Sequence, residues 1–333
     1  LEGKNIVTTH QLYSQIVGKA RKGFLNDYEI IIDEVLEVCK TVKIKSRVSI
    51  KEFYLDKGYI DLAQDGLVVT TDKWDTLYKS VSDTLDLTIY DYAQSGCLYL
   101  LDDTMFMWAL PRELLTSGLS ITILTYKAEG SLLLSYLSKL GVEVTHKTNM
   151  MKEWEFKKKA RELIDIRSIP AIEKINLTYS GQTSKCSRAI ETKISTALKN
   201  LRGRTLSKVN MNEIMITCSK ERWFRNGRNK VKTPKSSSFS NGSRMFGCNW
   251  LANTTRGTND FNHCSHLIYL YDQYVNPYVQ RWLGCSNKEF SDDYALTELI
   301  QWVWRSRIRK GEPIVLYIPS KRMREVFSEW LWA

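Results

Sequence analysis

Two adjacent carboxylates, Asp33 and Glu34, close the apolar run Tyr28–Ile32. At the carboxyl end of a parallel strand they would face the crevice where α/β sheets take their ligands, Asp33 holding magnesium through its water shell and Glu34 orienting or activating water. A strand followed by a solvated turn is the plainer reading. A second candidate is the loop Asn253-Thr254-Thr255-Arg256-Gly257-Thr258-Asn259-Asp260, whose polar side chains and single glycine suit a close-fitting phosphate or nucleotide loop as well as an ordinary turn. A third is a helix over Ala295–Ile308 carrying Gln301, Arg305 and Arg307, with Arg309 directly after it on the same helical path. At ~100° per residue, Gln301, Arg305 and Arg309 fall within ~80° of one another while Arg307 points elsewhere. An arginine finger for phosphoryl transfer is then an alternative to a surface helix. His263-Cys264-Ser265-His266 offers half of a metal site with no second ligand cluster, and the seven cysteines, none in a C-x-x-C pair, read as reduced buried thiols.

The elements that must position these groups alternate between short apolar runs and helical patterns, the mark of a parallel sheet covered by helices. Strands are predicted at Asn5–Thr8, Tyr28–Ile32, Leu67–Thr70, Cys97–Leu101, Leu119–Thr125, Glu143–Thr145, Lys174–Thr178, Glu213–Thr217, His266–Tyr271 and Pro313–Ile318. Helices are predicted after Thr9, where Leu12, Ile16, Val17 and Ala20 share a face, and over Ser187–Leu201, where Ile190, Ile194, Leu198 and Leu201 do. With 333 residues, 43% hydrophobic and 26% charged, the chain has enough apolar residues for two domains. A boundary is expected between about residues 150 and 170. No apolar run approaches the ~18 residues of a membrane span and no signal peptide opens the chain, so a cytoplasmic protein that does not enter the membrane is expected.

Net charge is +11, and residues 162–333 carry 27 Lys and Arg against 15 Asp and Glu, more than the whole excess. A polyanion, most simply nucleic acid, is the partner such asymmetry implies. The basic, Ser-rich segment Lys220–Arg244, with Arg225, Arg228, Lys230 and Lys232, is predicted to be a loop that contacts it, while Trp223 and Phe224 either stack on bases or anchor the loop.

In chain order, Val7-Thr8-Thr9-His10, Ile31-Ile32-Asp33-Glu34, Ile121-Thr122-Ile123-Leu124-Thr125, Ile214-Met215-Ile216-Thr217-Cys218, Thr255-Arg256-Gly257-Thr258-Asn259 and Gln301-Trp302-Val303-Trp304-Arg305 resemble successive motifs of superfamily 2 helicases. The likeness is to DEAD/DEAH-type DNA helicases of phages, mobile elements and viral origin-binding proteins. It implies two tandem RecA-like α/β domains, residues 1–160 and 161–333, with ATP and Mg²⁺ as cofactors and DNA as partner. Asp33 and Glu34, with Arg305 and Arg309, would be the catalytic set. Gly257, Asn259, Gln301 and Arg307 would bind nucleotide, Thr122 and Thr125 would couple hydrolysis to movement, and Thr8, Thr9, His10, Thr255 and Arg256 would hold nucleic acid. Either Arg307 or Arg309 is the second arginine of the last motif: the helical face favours Arg309, and shorter-spaced family members favour Arg307. Leu36 stands where the family has His or Asp, and Gly3-Lys4 and Gly18-Lys19 lack the rest of a phosphate-binding loop. The resemblance therefore implies an N-terminally incomplete core that hydrolyses ATP poorly. An ATPase-deficient nucleic-acid-binding module, or the motor of a restriction or remodelling enzyme, is the alternative.

Overall fold

A computed structural model describes residues 4–44, 49–78, 86–226, 232–233, 238–255 and 257–333. The chain forms two compact units, one of residues 1–145 and 275–290, the other of residues 146–274 and 291–333.

In the first unit, β1 (Glu29–Asp33) and β7 (Ser120–Leu124) pair in parallel, while β2 (Cys39–Val42), β6 (Met105–Ala109) and β5 (Leu98–Leu101) form an antiparallel sheet in that order. A further hairpin joins β3 (Ile60–Leu62) to β4 (Val68–Thr70). The parallel RecA-like sheet expected of this half is corrected accordingly. Its physical cause lies in the connections: β5 turns into β6 through Asp102–Thr104, and Asp102 and Asp103 have φ of 49° and 53°. Such a tight turn makes a hairpin, whereas parallel strands need a crossover of a dozen residues or more. Tyr54 and Trp74, both fully buried, and Phe106 form an aromatic core with ring centroids 5.5 Å apart from Tyr54 to each partner. The returning segment 275–290 contributes the helix Pro277–Leu283, whose Trp282 lies 5.7 Å from the Tyr136 ring and 5.3 Å from that of Tyr99.

The second unit is built on one five-stranded parallel sheet, ordered β12 (Asn249–Trp250), β9 (Ile214–Thr217), β13 (His266–Tyr269), β14 (Ile314–Tyr317), β8 (Ile164–Arg167). A small antiparallel hairpin of β10 (Arg225–Asn226) and β11 (Lys232–Thr233) stands apart from it. All four residues of β9 are buried, as a strand covered on both faces requires. One face, through Ile214, Ile216, Ile268 and Leu270, packs beneath the helix Arg188–Arg204 and the short helices Lys220–Trp223 and Ser238–Gly242. The opposite face carries the helix Lys288–Val303, whose Trp302 meets Tyr269 edge-on at 5.2 Å, and the paired helices Met150–Leu163 and Lys321–Trp332. Helix Arg188–Arg204 starts where its sequence says it should: the Ser187 hydroxyl accepts from the Ile190 N–H, and Ile194, Ala197 and Leu198 are buried. After β9 the chain moves to β12, and after β13 it moves the other way to β14, so the sheet reverses direction between β9 and β13.

Candidate nucleic-acid interface

The crevice at that reversal, the usual ligand site of an open α/β sheet, is closed by Gln182. This side chain is fully buried. Its Nε2 donates to the Leu177 and Leu270 carbonyls at 2.8 and 2.6 Å, and its Oε1 accepts from the Ser219 N–H at 3.0 Å. Arg222 reinforces the closure, donating to the Gln182 and Thr183 carbonyls and pairing with Glu191 at 3.1 Å.

The residues singled out for phosphate chemistry fall elsewhere. Arg305, Arg307 and Arg309 do not share a helix: Lys288–Val303 ends first, and Arg307–Lys310 is a separate 3₁₀ turn. The face argument that grouped them is corrected. Arg305 is buried and donates to the Thr258 carbonyl, Arg309 to the Asn259 side chain, while Arg307 donates to the Pro313 carbonyl at 2.6 Å. Arg305 and Arg309 thus meet the Gly257–Asn259 loop, with Gly257 at φ 66° and open space where a Cβ would stand. They meet at the edge where the strands begin, however. The Arg307 N–H bonds the Cys264 carbonyl just before β13, and Ser265 bridges from Glu213 to Val315. That is the opposite edge from the ligand crevice, and these contacts fasten a loop. Gln301 is half-buried on its helix, Thr255 is half-buried in the loop, and Arg256 lies outside the described residues.

In the first unit, Asp33 is exposed at the end of β1 beside Leu124, and Glu34 follows at φ 69° with its N–H on the Leu124 carbonyl at 2.9 Å. Thr122 is exposed on β7, and Thr125 is half-buried one residue beyond it. Asp33, Glu34 and Thr125 are therefore near one another, but among the described residues no group of three or more His, Cys, Asp and Glu is arranged to hold a metal ion. Thr9 caps the helix His10–Gln15, its hydroxyl accepting from the Leu12 N–H at 3.2 Å. Thr8 bonds only the next carbonyl, at 3.5 Å, and His10 is exposed. Local backbone chemistry accounts for Thr9 in full. Cys264 and His266 are likewise absorbed. The thiol contacts the Asn212 carbonyl, the imidazole shares a 2.8 Å bond with the Ser265 hydroxyl, and burial, then the neighbouring Arg307, push its pKa down.

The charge tells a different story. Residues 184–244 hold 15 Lys and Arg against three Asp and Glu, a net of +12, and the rest of residues 162–333 balances to zero. The expectation names the second domain and its Lys220–Lys235 loop as the dominant contact, and within that domain the helix Arg188–Arg204 with its flanks, residues 185–208, carries as much net charge as the loop. Arg228 and Lys230 lie outside the described residues; Arg225 begins β10 and Lys232 begins β11. Elsewhere in the segment Lys185, Arg188, Lys193, Lys199, Arg204, Lys208, Lys220 and Arg244 are exposed. Among the described residues none of these eight pairs with a carboxylate. Arg202 and Arg222 instead turn inward to backbone carbonyls.

These elements form one continuous layer. Ser195 Oγ donates to the Ser238 carbonyl at 2.9 Å, and Ser240 Oγ donates to the Trp223 carbonyl at 2.8 Å. Trp223 is buried, and Phe224 packs edge-on against Trp250 at 5.2 Å, so both anchor the layer. A shallow groove of about 680 Å³ runs along the helix between Arg188 and Asn200. The signal for the helix lies in the sequence as a run of 24 residues, 185–208, with seven cations and one acid, whereas the spacing of its apolar residues marks only its buried side.

Residues 158–331 match the family model described as the YonV C-terminal Rossmann-like domain. Over 344 aligned residues the chain is 24% identical to the SPbeta prophage-derived uncharacterized protein YonV of Bacillus subtilis (strain 168), with 99% of this chain and 80% of that relative covered. No solved structure matches. The resemblance to superfamily 2 helicases is overturned by the family match, and the displaced arginines agree with that correction. The α/β class with a parallel sheet stands. Among the described residues no helix is long and apolar enough to cross a membrane.

Proposed function

For a chain that belongs to the family of the YonV C-terminal Rossmann-like domain, we propose that its second unit is a nucleic-acid-binding module whose contact face is the layer of the helices Arg188–Arg204, Lys220–Trp223 and Ser238–Gly242. One observation carries this reading: the whole net positive charge of residues 162–333 falls in the single segment 184–244, whose described helices cover one face of the sheet. Exposed cations without carboxylate partners can neutralise backbone phosphates, and the counterions this releases from the nucleic acid drive binding. A solvated helix that serves only solubility intersperses both signs.

The test replaces Arg188, Lys193, Lys199 and Arg204 together by alanine. All four are exposed, so folding is retained. Affinity of the full chain for a labelled polynucleotide at physiological salt should fall by about 10²-fold, the electrostatic loss of roughly four phosphate contacts. Affinity within twofold of the wild-type value would remove the helix from the interface.

A further inference from the structure

Resting on the nucleic-acid reading, we infer that the partner is double-stranded DNA and that the helix Arg188–Arg204 enters its major groove. The argument begins with the distribution of side chains around this 17-residue helix. At ~100° per residue, Arg188 and Lys199 lie within ~20° of each other on one flank, and Lys193 and Arg204 within ~20° on the other. The flanks are ~140° apart, and each pair is spaced by about 16 Å along the axis at 1.5 Å per residue. Between them runs a row of short side chains, in angular order Thr192, Gly203, Thr196, Ala189 and Asn200, all exposed. Gly203 has no packing reason to be glycine, since a Cβ there would meet nothing within 4 Å.

This is the arrangement a major groove demands of a helix. The groove of B-DNA, about 12 Å wide, admits one helix, and the phosphates of both strands border it. Cations on both flanks of the helix then reach the two backbones, while the row between must be short enough to let the helix approach and polar enough to meet base edges. Asn pairs with adenine through N6 and N7, and Thr offers a hydroxyl and a methyl to base edges. A single strand is gripped differently, by stacking bases on aromatic rings, and the helix holds no aromatic residue. The A-form RNA duplex closes its major groove to side chains. Charge alone would accept all three polymers; the two-flank arrangement distinguishes among them.

The experiment compares the full chain on a DNA duplex, an RNA duplex of the same sequence and the single DNA strand at one salt concentration. It then selects preferred duplexes from a randomised pool. The DNA duplex should bind at least ~10-fold tighter than either competitor, and selection should return adenine-containing sites. In the triple variant Thr192→Ala, Thr196→Ala, Asn200→Ala the preference for the selected site over unselected duplex should shrink by roughly 10-fold or more. Equal affinity for the RNA duplex, preference for the single strand, or a selected site that the triple variant still prefers would each overturn the major-groove assignment. With any of those results, a ~10²-fold loss of affinity on removing the four flank cations would leave the nucleic-acid reading standing and confine the failure to the major-groove assignment.

Discussion

Replacing Gln182 by leucine perturbs the point on which the second unit's layers converge. The buried amide satisfies three backbone groups, the carbonyls of Leu177 and Leu270 and the N–H of Ser219, at 2.6–3.0 Å. Leucine fills a similar space and satisfies none of them. A buried polar group left unpaired costs about 1–3 kcal/mol, so the three together should lower stability by about 3–6 kcal/mol after partial relaxation. At about 2–4 °C per kcal/mol for a domain of this size, the melting temperature of the second unit should drop by roughly 6–24 °C. Gln182→Glu separates hydrogen bonding from packing. A carboxylate still accepts from Ser219 but confronts two carbonyl oxygens unless it is protonated, and burial also favours the neutral form. A carboxyl whose folded pKa is raised gives stability that is present at low pH and lost as pH rises through the folded value. The Glu variant should therefore lie closer to wild type near about pH 5 than near about pH 8. Thermal melts followed by circular dichroism at both pH values decide it. A Leu variant within ~1 kcal/mol of wild type, or a Glu variant without pH dependence, would refute the account of Gln182 as the brace of the crevice.

His266 should make stability pH-dependent in the other direction. Its pKa is depressed by burial and by Arg307, so its contribution is complete above the ordinary value of about 6.5 and is lost as pH falls below it. The drop in melting temperature from about pH 7 to about pH 5 should be smaller in His266→Gln. Of the seven free thiols, six are buried and Cys186 is half-buried. Burial pushes Cys39 and Cys248 up to about 12 and Cys97 and Cys264 up to about 11. A disulfide reagent should then label one thiol quickly in the native chain and seven after unfolding; two fast native thiols would show that a buried cysteine is exposed. For the arginines, Arg305→Ala should destabilise the second unit by about 2 kcal/mol through loss of a buried loop contact. Arg309→Ala should change stability by only a few tenths, and both should leave nucleic-acid affinity within twofold, as measured by melting and by equilibrium binding.

The second unit was the more legible half because its strands are apolar runs of the length that a sheet buried on both faces selects. Predicted Glu213–Thr217, His266–Tyr271 and Pro313–Ile318 became β9, β13 and β14, and Ser187–Leu201 became the helix Arg188–Arg204. β8 was missed because Ile164-Asp165-Ile166-Arg167 alternates charge with apolar residues at the sheet edge, directly behind a polar helix. In the first unit, the Asp102-Asp103 pair between two apolar runs was a hairpin signal that a parallel reading passed over. Of the predicted strands, Asn5–Thr8, Glu143–Thr145 and Lys174–Thr178 form no strand. The motif order that suggested a helicase came from apolar strands ending in polar residues, which any α/β sheet repeats. Local spacing cannot reveal the edge to which Arg305 and Arg309 are carried, because the break after Val303 decides it.

The most direct test of the nucleic-acid interface is the salt dependence of duplex binding by the full chain and by the variant lacking the four cations Arg188, Lys193, Lys199 and Arg204. Each phosphate contact contributes about 0.9 to the slope of log K against log salt on duplex DNA. If all four cations make such contacts, the wild-type slope should be about −4 or steeper and the variant's shallower by about 3.6. An equal slope for the two proteins would contradict the account, because the cations on the exposed side of the helix would then displace no counterions from DNA.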